Sequence, residues 1–373
     1  MAREKHIHVI DELRVGGAQT HLVTMLRESL RHYEIDHRVI GLFGRGPIAE
    51  EIEALGVPVD ILDLTALLAG RRFGQAVNRL QSLFQQHRPD LVEAHLTWSR
   101  LLGIHAAWRA GIPRRFGFEQ GDIFLNSWKF RTANCFGQVF ADHIICCSHA
   151  LARWVHQTHR IFNRKLTVLH NCVDAERFQP SSGTPLKDLG LPSGATVFCA
   201  LGSLGNGVNK RMDVCIRATA EARAQAAEIV LLICGDGPQR HDLERLAAEL
   251  GVASAVRFLG TQRDVRHALA SSDAFCHAAP FEPFGIVCIE AMAMALPVIV
   301  PNSGGIGEAV DDGQTGFIYP ALDHEALAQV MLRMHGDPER RRAMGGRARR
   351  EVEQRFSVGA YLKRLYALYG CAA

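Results

Sequence analysis

The sequence predicts an α/β protein of two Rossmann-like, doubly wound domains facing a central cleft. Three observations carry that expectation. The chain has 373 residues, 47% hydrophobic and 22% charged, enough apolar content for large cores and too much for disorder. Short runs rich in β-branched residues alternate with longer helical patterns, the signature of parallel strands covered by helices on both faces. Around residues 179–194 the text turns to Pro-Ser-Ser-Gly-Thr-Pro and then Leu-Gly-Leu-Pro-Ser-Gly, turn-rich and apolar-poor, as at a domain boundary.

Before that break, strands are expected at His6–Ile10, His37–Leu42, Val59–Leu62, Leu91–Ala94, Arg115–Phe118, His143–Cys147 and Leu166–Leu169. Helical periodicity covers Ala18–His32 and Ile48–Leu55. After the break a second series begins, with strands at Thr196–Leu201, Ile229–Cys234, Val256–Leu259, Ala274–His277, Val298–Val300 and Gly316–Ile318. The domains are therefore expected at residues 1–182 and 183–356. Sheets of this type bind ligands beyond their strand ends.

Composition removes several function classes. A net charge of +3 from 42 basic and 39 acidic residues gives no general affinity for polyanions, so no nucleic-acid partner is expected. The longest apolar runs, Ile229–Cys234 and Ala295–Val300, are far short of the roughly 18 residues that span a bilayer. The opening Met-Ala-Arg-Glu-Lys-His is charged and runs straight into a strand, which points to a cytoplasmic chain. Ten cysteines without a Cys-x-x-Cys pair, several inside apolar runs (Cys199, Cys234, Cys276, Cys288), read as buried thiols, neither a disulfide framework nor a cysteine zinc site. Basic charge is local. Between His95 and His170 ten Lys or Arg face three acids, and all four tryptophans fall there. The stretch reads equally as a surface for an anionic lipid or acceptor, or as a solvated basic face over core tryptophans. Glu339–Arg350, with six arginines, reads as an exposed helix.

The strongest chemical signal is Phe281-Glu282-Pro283-Phe284-Gly285-Ile286-Val287-Cys288-Ile289-Glu290. Pro283 and Gly285 mark a loop, a helix starts near Ile286, and Glu290 lies about one turn inside it. One carboxylate precedes the helix and the other sits on it. Between them the helix N-terminus offers unpaired N–H groups and positive dipole to a diphosphate. A ligand with hydroxyls at both ends and phosphates in the middle fits, which describes a nucleotide sugar. Lys210, in the glycine-rich loop after the first strand of the second half, can neutralise phosphate charge without a metal.

These residues resemble the retaining glycosyltransferases of family 4, which have the two-domain GT-B fold, and the resemblance covers nearly the whole chain. Glu282 and Glu290 match the family's Glu-x7-Glu motif. Further matches are Gly16-Gly17-Ala18, Ser148, Asn171-Cys172-Val173-Asp174 with Phe178 and Pro180, Gly235-Asp236-Gly237-Pro238, Phe258-Leu259-Gly260, and Gly304-Gly305 with Glu308, Gly313 and Gly316. The resemblance implies that Glu290 binds the nucleotide ribose and that Glu282 meets a donor-sugar hydroxyl. It implies that the N–H groups from Phe284 through Gly285 and Ile286 to Val287 hold sugar and phosphate, and that Lys210 binds the diphosphate as it leaves. Gly16 and Gly17 would close over that diphosphate from the other domain. The last helix, within 357–373, would cross back to the first domain.

Departures from the family pattern matter. Its usual arginine ahead of the lysine is Ser203 here, so one phosphate-binding cation is missing unless Arg211 replaces it. Where many members place a histidine near the donor sugar, this chain has Glu119 or Gln120. His95, ending the fourth strand, is a further acceptor-side candidate, read equally as a structural residue. Ala295 and Gly307 replace a usual glycine and proline, read as packing variation. The chain contains no Asp-x-Asp, which fits a transfer without metal, so the expected metal and cofactor are none, with the nucleoside diphosphate sugar as co-substrate.

The expected activity is retaining transfer of a hexose-type sugar, from a UDP donor first and GDP next, to an acceptor hydroxyl. The acceptor would be a glycan, lipid-linked or small molecule, in cell-envelope polysaccharide, lipid-linked glycan or natural-product synthesis. Peripheral contact with an anionic membrane on its inner face would follow. Two rivals stand beside it: an epimerase or phosphorylase on the same fold, and a catalytically inactive nucleotide-sugar-binding or assembly subunit.

Overall fold

Among the described residues the apolar runs become thirteen strands in two all-parallel sheets. A computed structural model of the protein describes residues 3–121, 138–181, 183–185, 189–205, 210–225 and 228–371. In the first sheet β1 is Glu4–Ile10, β2 Ile35–Gly41, β3 Val59–Ile61, β4 Leu91–His95, β5 Arg114–Glu119, β6 His143–Cys146 and β7 Leu166–Val168. In the second, β8 is Thr196–Leu201, β9 Ile229–Cys234, β10 Val256–Gly260, β11 Ala274–Cys276, β12 Val298–Pro301 and β13 Gly316–Tyr319. The strand orders are β3-β2-β1-β4-β5-β6-β7 and β10-β9-β8-β11-β12-β13. Every residue of β8 and β9 is buried, because helices cover both faces of a parallel sheet. Each order reverses once, between β1 and β4 and between β8 and β11, and ligands of doubly wound sheets bind beyond such reversals.

The strands lie where expected, with ends moved by one or two residues. The chain divides into one unit of residues 1–171 with 358–373 and a second of residues 172–357. The boundary expected after residue 182 therefore falls earlier. Val173 N–H donates to Phe356 O at 2.9 Å, and Arg349 donates to Ala175 O at 2.8 Å and to Phe178 O. These bonds tie the segment to the second unit, so the turn-rich text at 180–194 falls inside that unit and not at its edge. The C-terminal helix Val358–Tyr369 belongs to the first unit, where Tyr366 donates to Ser29 Oγ at 2.6 Å and Arg114 to Tyr369 O at 2.9 Å.

Two surface expectations change. Arg100, counted in the basic stretch, is fully buried and pairs with Glu119 at 2.7 Å. Trp98 is half-buried and stacks on Phe73, Trp108 is exposed, and Trp128 lies outside the described residues. In the arginine-rich helix Pro338–Glu351, Arg341 pairs with Asp273 at 3.0 Å and Arg349 donates to Ala293 O at 2.8 Å, so part of the run is structural. Ala295 is a backbone matter rather than packing variation. It adopts φ +58° just after the helix Ile286–Ala293, a left-handed position that favours glycine. The described cysteines are free thiols, buried except for Cys371. Among the described residues, no helix is long and apolar enough to cross a membrane.

Candidate active site

After β8 the chain turns at Gly202, with φ +154°. A Cβ there would lie 2.7 Å from Lys210 Cγ, so the glycine lets the lysine stem fold back across the turn. The loop 235–237 backs this turn. Gly202 N–H donates to Cys234 O at 2.9 Å and Leu204 N–H to Asp236 O at 3.0 Å. A Cβ on Gly235 would sit 1.9 Å from Gly202 O, and one on Gly237 2.4 Å from Leu204 O. The Gly-Asp-Gly motif is thus the condition for two backbones to touch.

Strand β11 runs on into His277, whose N–H donates to Ile299 O and whose carbonyl accepts from Tyr319 Oη, both at 2.9 Å. The following loop carries Glu282 and is held by the Gly304-Gly305 turn. Gly305 N–H donates to Glu282 O at 2.8 Å, and a Cβ on Gly304 would lie 2.2 Å from the same oxygen. Phe284 is buried, and Gly285, at φ +82°, leads into the helix Ile286–Ala293. No side chain caps that helix, and a helix end left uncapped can receive a ligand's anionic oxygens.

Because β8 and β11 are neighbours, the two loops converge. Lys210 Nζ donates to Glu282 Oε2 at 2.6 Å, and His277 Nε2 lies 3.2 Å from the same oxygen. Burial alone would raise the Glu282 carboxyl, but the His277 imidazole and the Lys210 charge outweigh it and hold it at about 2. Glu290 goes the other way. Burial pushes it up to about 7, with Arg177 opposing and Asp264 adding to the rise. Among the described residues none hydrogen-bonds or ion-pairs with its carboxylate. One acid is a fixed anion bound to a cation, and the other is open to accept hydroxyl donors. This arrangement can hold a diphosphate by cation and helix dipole while carboxylates grip hydroxyls on either side.

The remaining candidates are placed as follows. Ser203 is exposed on the Gly202 turn. Arg211, at φ +45°, forks onto Asp213 with two contacts of 2.8 Å, so its guanidinium is already engaged. In the first unit Gly16 precedes the helix Gly17–His32, which no side chain caps, on the chain leaving β1 at the strand-order reversal. His95 is buried, stacks on Phe118 with centroids 4.5 Å apart and lies 3.4 Å from Glu93. Glu119 is committed to Arg100. Gln120 is half-buried, with neither amide atom hydrogen-bonded. His277 and Asp213 were not singled out from sequence. A histidine closing a strand at the carboxyl end of a parallel sheet, five residues before Glu282, was the available signal for the first.

Two family models match end to end: the one described as Glycosyltransferase Family 4 over residues 15–177, and Glycosyl transferases group 1 over residues 186–351. The chain belongs to glycosyltransferase family 4. Among its curated relatives is the N-acetyl-alpha-D-glucosaminyl L-malate synthase of Bacillus anthracis, 28% identical over 63% of this chain and 61% of the relative. Another is the D-inositol 3-phosphate glycosyltransferase of Saccharomonospora viridis, 35% identical over 50% of this chain and 45% of the relative. The chain thus spans less than two thirds of the length of these relatives. The HepE protein of Anabaena, solved in complex with UDP, has the same GT-B fold, with a TM-score of 0.84 at 21% identity over 98% of this chain and 99% of that one. The same protein has been solved with UDP-glucose. For a family 4 chain, Ser203 supplies no charge and Arg211 is engaged by Asp213, while Lys210 is the cation that pairs with Glu282.

Proposed function

We propose that this protein is a retaining, metal-independent glycosyltransferase that moves a hexose-type sugar from a nucleoside diphosphate donor to an acceptor hydroxyl. The observation that carries the reading is the Lys210–Glu282–His277 contact beside the uncapped helix Ile286–Ala293, with Glu290 one turn inside. In the reaction the anomeric C–O bond to the diphosphate breaks, and a bond forms to the acceptor oxygen on the same face. The acceptor proton passes to the leaving phosphate oxygen. Charge grows on that phosphate, and Lys210 together with the helix N–H groups stabilises it as it grows. Glu282 holds Lys210 in place before the donor arrives and then accepts a sugar hydroxyl, while Glu290 accepts ribose hydroxyls.

UDP is the first donor to test, since HepE was solved with it, and GDP the next. The acceptor belongs to cell-envelope polysaccharide, lipid-linked glycan or natural-product synthesis. An anionic bilayer is a fitting peripheral contact for the first unit, placing the enzyme on the inner face of the membrane. Trp108 and Phe162 are exposed there, Trp108 packs on Phe140, Arg164 lies over the Phe162 ring, and Lys165 donates to Val139 O at 2.6 Å. An excess of binding to phosphatidylglycerol over phosphatidylcholine vesicles tests that contact.

The deciding experiment is thermal unfolding with UDP, GDP and their hexoses in chelator, followed by nucleotide release with acceptors. A ligand at 100 times its dissociation constant adds about 2.7 kcal/mol. Stabilisation by one base with release in chelator supports the enzyme, and the anomeric configuration of the product, read by NMR, tests retention. Stabilisation without release under any acceptor favours the inactive binding subunit, which the engagement of Arg211 by Asp213 makes the rival to beat.

A further inference from the structure

One face of the first sheet carries a buried polar stripe across β1 and β4. His8 on β1 pairs in register with Glu93 on β4, and His95 follows two residues later on the same face. All three are buried: His8 and Glu93 are 0% exposed and His95 1%. Glu93 Oε2 lies 3.2 Å from His8 Nδ1 and 3.4 Å from His95 Nε2, and the three atoms fall within 4.8 Å of one another. Both approaches are ion-pair contacts if the imidazoles are protonated. Both Glu93 oxygens, His8 Nδ1 and both nitrogens of His95 have no hydrogen-bond partner. Buried polar atoms are almost always satisfied, so five orphans at one point call for a missing partner. Among the described residues no Lys or Arg pairs with Glu93, so its counter-charge comes either from a protonated imidazole or from a bound cation.

We propose that His8 Nδ1, Glu93 Oε2 and His95 Nε2 hold a divalent cation, zinc by donor chemistry, at a site outside the transfer reaction. Two imidazoles and a carboxylate are a zinc donor set. Zinc bonds of about 2.0–2.1 Å in tetrahedral geometry put donor atoms about 3.3–3.4 Å apart. The two measured separations, 3.2 and 3.4 Å, match that edge. Water takes the fourth position.

The surroundings orient the ligands as metal sites require. His8 Nε2 is 2.9 Å from His37 Nδ1, and His37 Nε2 is 2.8 Å from Ser29 Oγ, which also accepts from Tyr366. With Nδ1 on the cation, His8 keeps its proton on Nε2 and donates it to His37, which donates in turn to Ser29. The chain thereby joins the cation to the helix Gly17–His32 and to the C-terminal helix. Without a cation the same chain has to run with reversed polarity, aiming His8 Nδ1–H at Glu93.

The test is metal content of the full chain, produced in zinc-supplemented medium and dialysed against EDTA. Wild type is expected to retain roughly one zinc per chain, since a buried site exchanges slowly, and Glu93→Gln less than a tenth of that. If Glu93→Gln fails to fold, wild type produced with cobalt in place of zinc still decides: visible d–d absorption without a thiolate charge-transfer band marks a nitrogen and oxygen site. Zinc below a tenth of an equivalent in wild type, with no cobalt absorption, overturns the proposal. So does a thiolate band, because the cation would then sit on cysteines.

Discussion

Lys210→Ala tests the proposed chemistry most directly. The ammonium touches Glu282 Oε2 at 2.6 Å, and both side chains are mostly buried, 27% and 14% exposed, so solvent screening is weak. Two unit charges about 4 Å apart at an effective dielectric of about 20 interact by about 4 kcal/mol. Removing one preorganised donor from a developing anion costs about 2.7–4 kcal/mol, or 10²–10³ in kcat. Turnover of Lys210→Ala is therefore expected to fall about 10²- to 10³-fold at saturating donor. The assay is nucleotide release in chelator, with nucleotide affinity measured alongside and a melting curve to show that the variant is folded. Because the lysine acts on charge that grows during transfer, kcat should fall more than affinity. A folded variant whose kcat stays within twofold of wild type refutes the leaving-group role.

Gly202→Ala places a Cβ 2.7 Å from Lys210 Cγ and should displace the lysine, lowering kcat in the direction of Lys210→Ala while Glu282 and Lys210 themselves remain; unchanged kinetics count against the turn as the lysine's support. Glu290, at about 7 in the fold against an ordinary 4.5, holds a proton between those values that the unfolded chain has released. Stability therefore falls as pH rises from 4.5 to 7, a slope that Glu290→Gln should flatten in melting curves. Donor affinity should run oppositely, rising through pH 7 as the carboxylate forms to accept ribose hydroxyls, and should be weaker and flat in Glu290→Gln; a pH-independent wild-type affinity refutes the ribose assignment. Ala295→Gly relieves a left-handed alanine at φ +58° and should stabilise by about 1 kcal/mol, a rise of roughly 2–4 °C in Tm, read by calorimetry.

Much of the molecule is written locally. The strands were legible because an apolar run bounded by turn residues encodes a buried parallel strand within a few positions. The Glu282–Glu290 element was legible for the same reason, since Pro283, Gly285 and the helix that follows place both carboxylates by sequence spacing alone. Even the glycine motifs carried information, although what they permit, backbone touching backbone at Gly202, Gly235 and Gly304, appears only in three dimensions. The tertiary fold settled what depends on strand order. Lys210 and Glu282 are 72 residues apart and meet because β8 lies beside β11, and the same neighbourhood brings in His277. Packing also reassigned charges that composition could only count: Arg100 turned inward to Glu119, Arg349 capped carbonyls of a segment assigned to the other domain, and His8, Glu93 and His95 converged in a core. Backbone preference acts over a turn or a strand, so sequence reveals the elements. Side-chain pairing acts across strands distant along the chain, so only the assembled sheet reveals the partners.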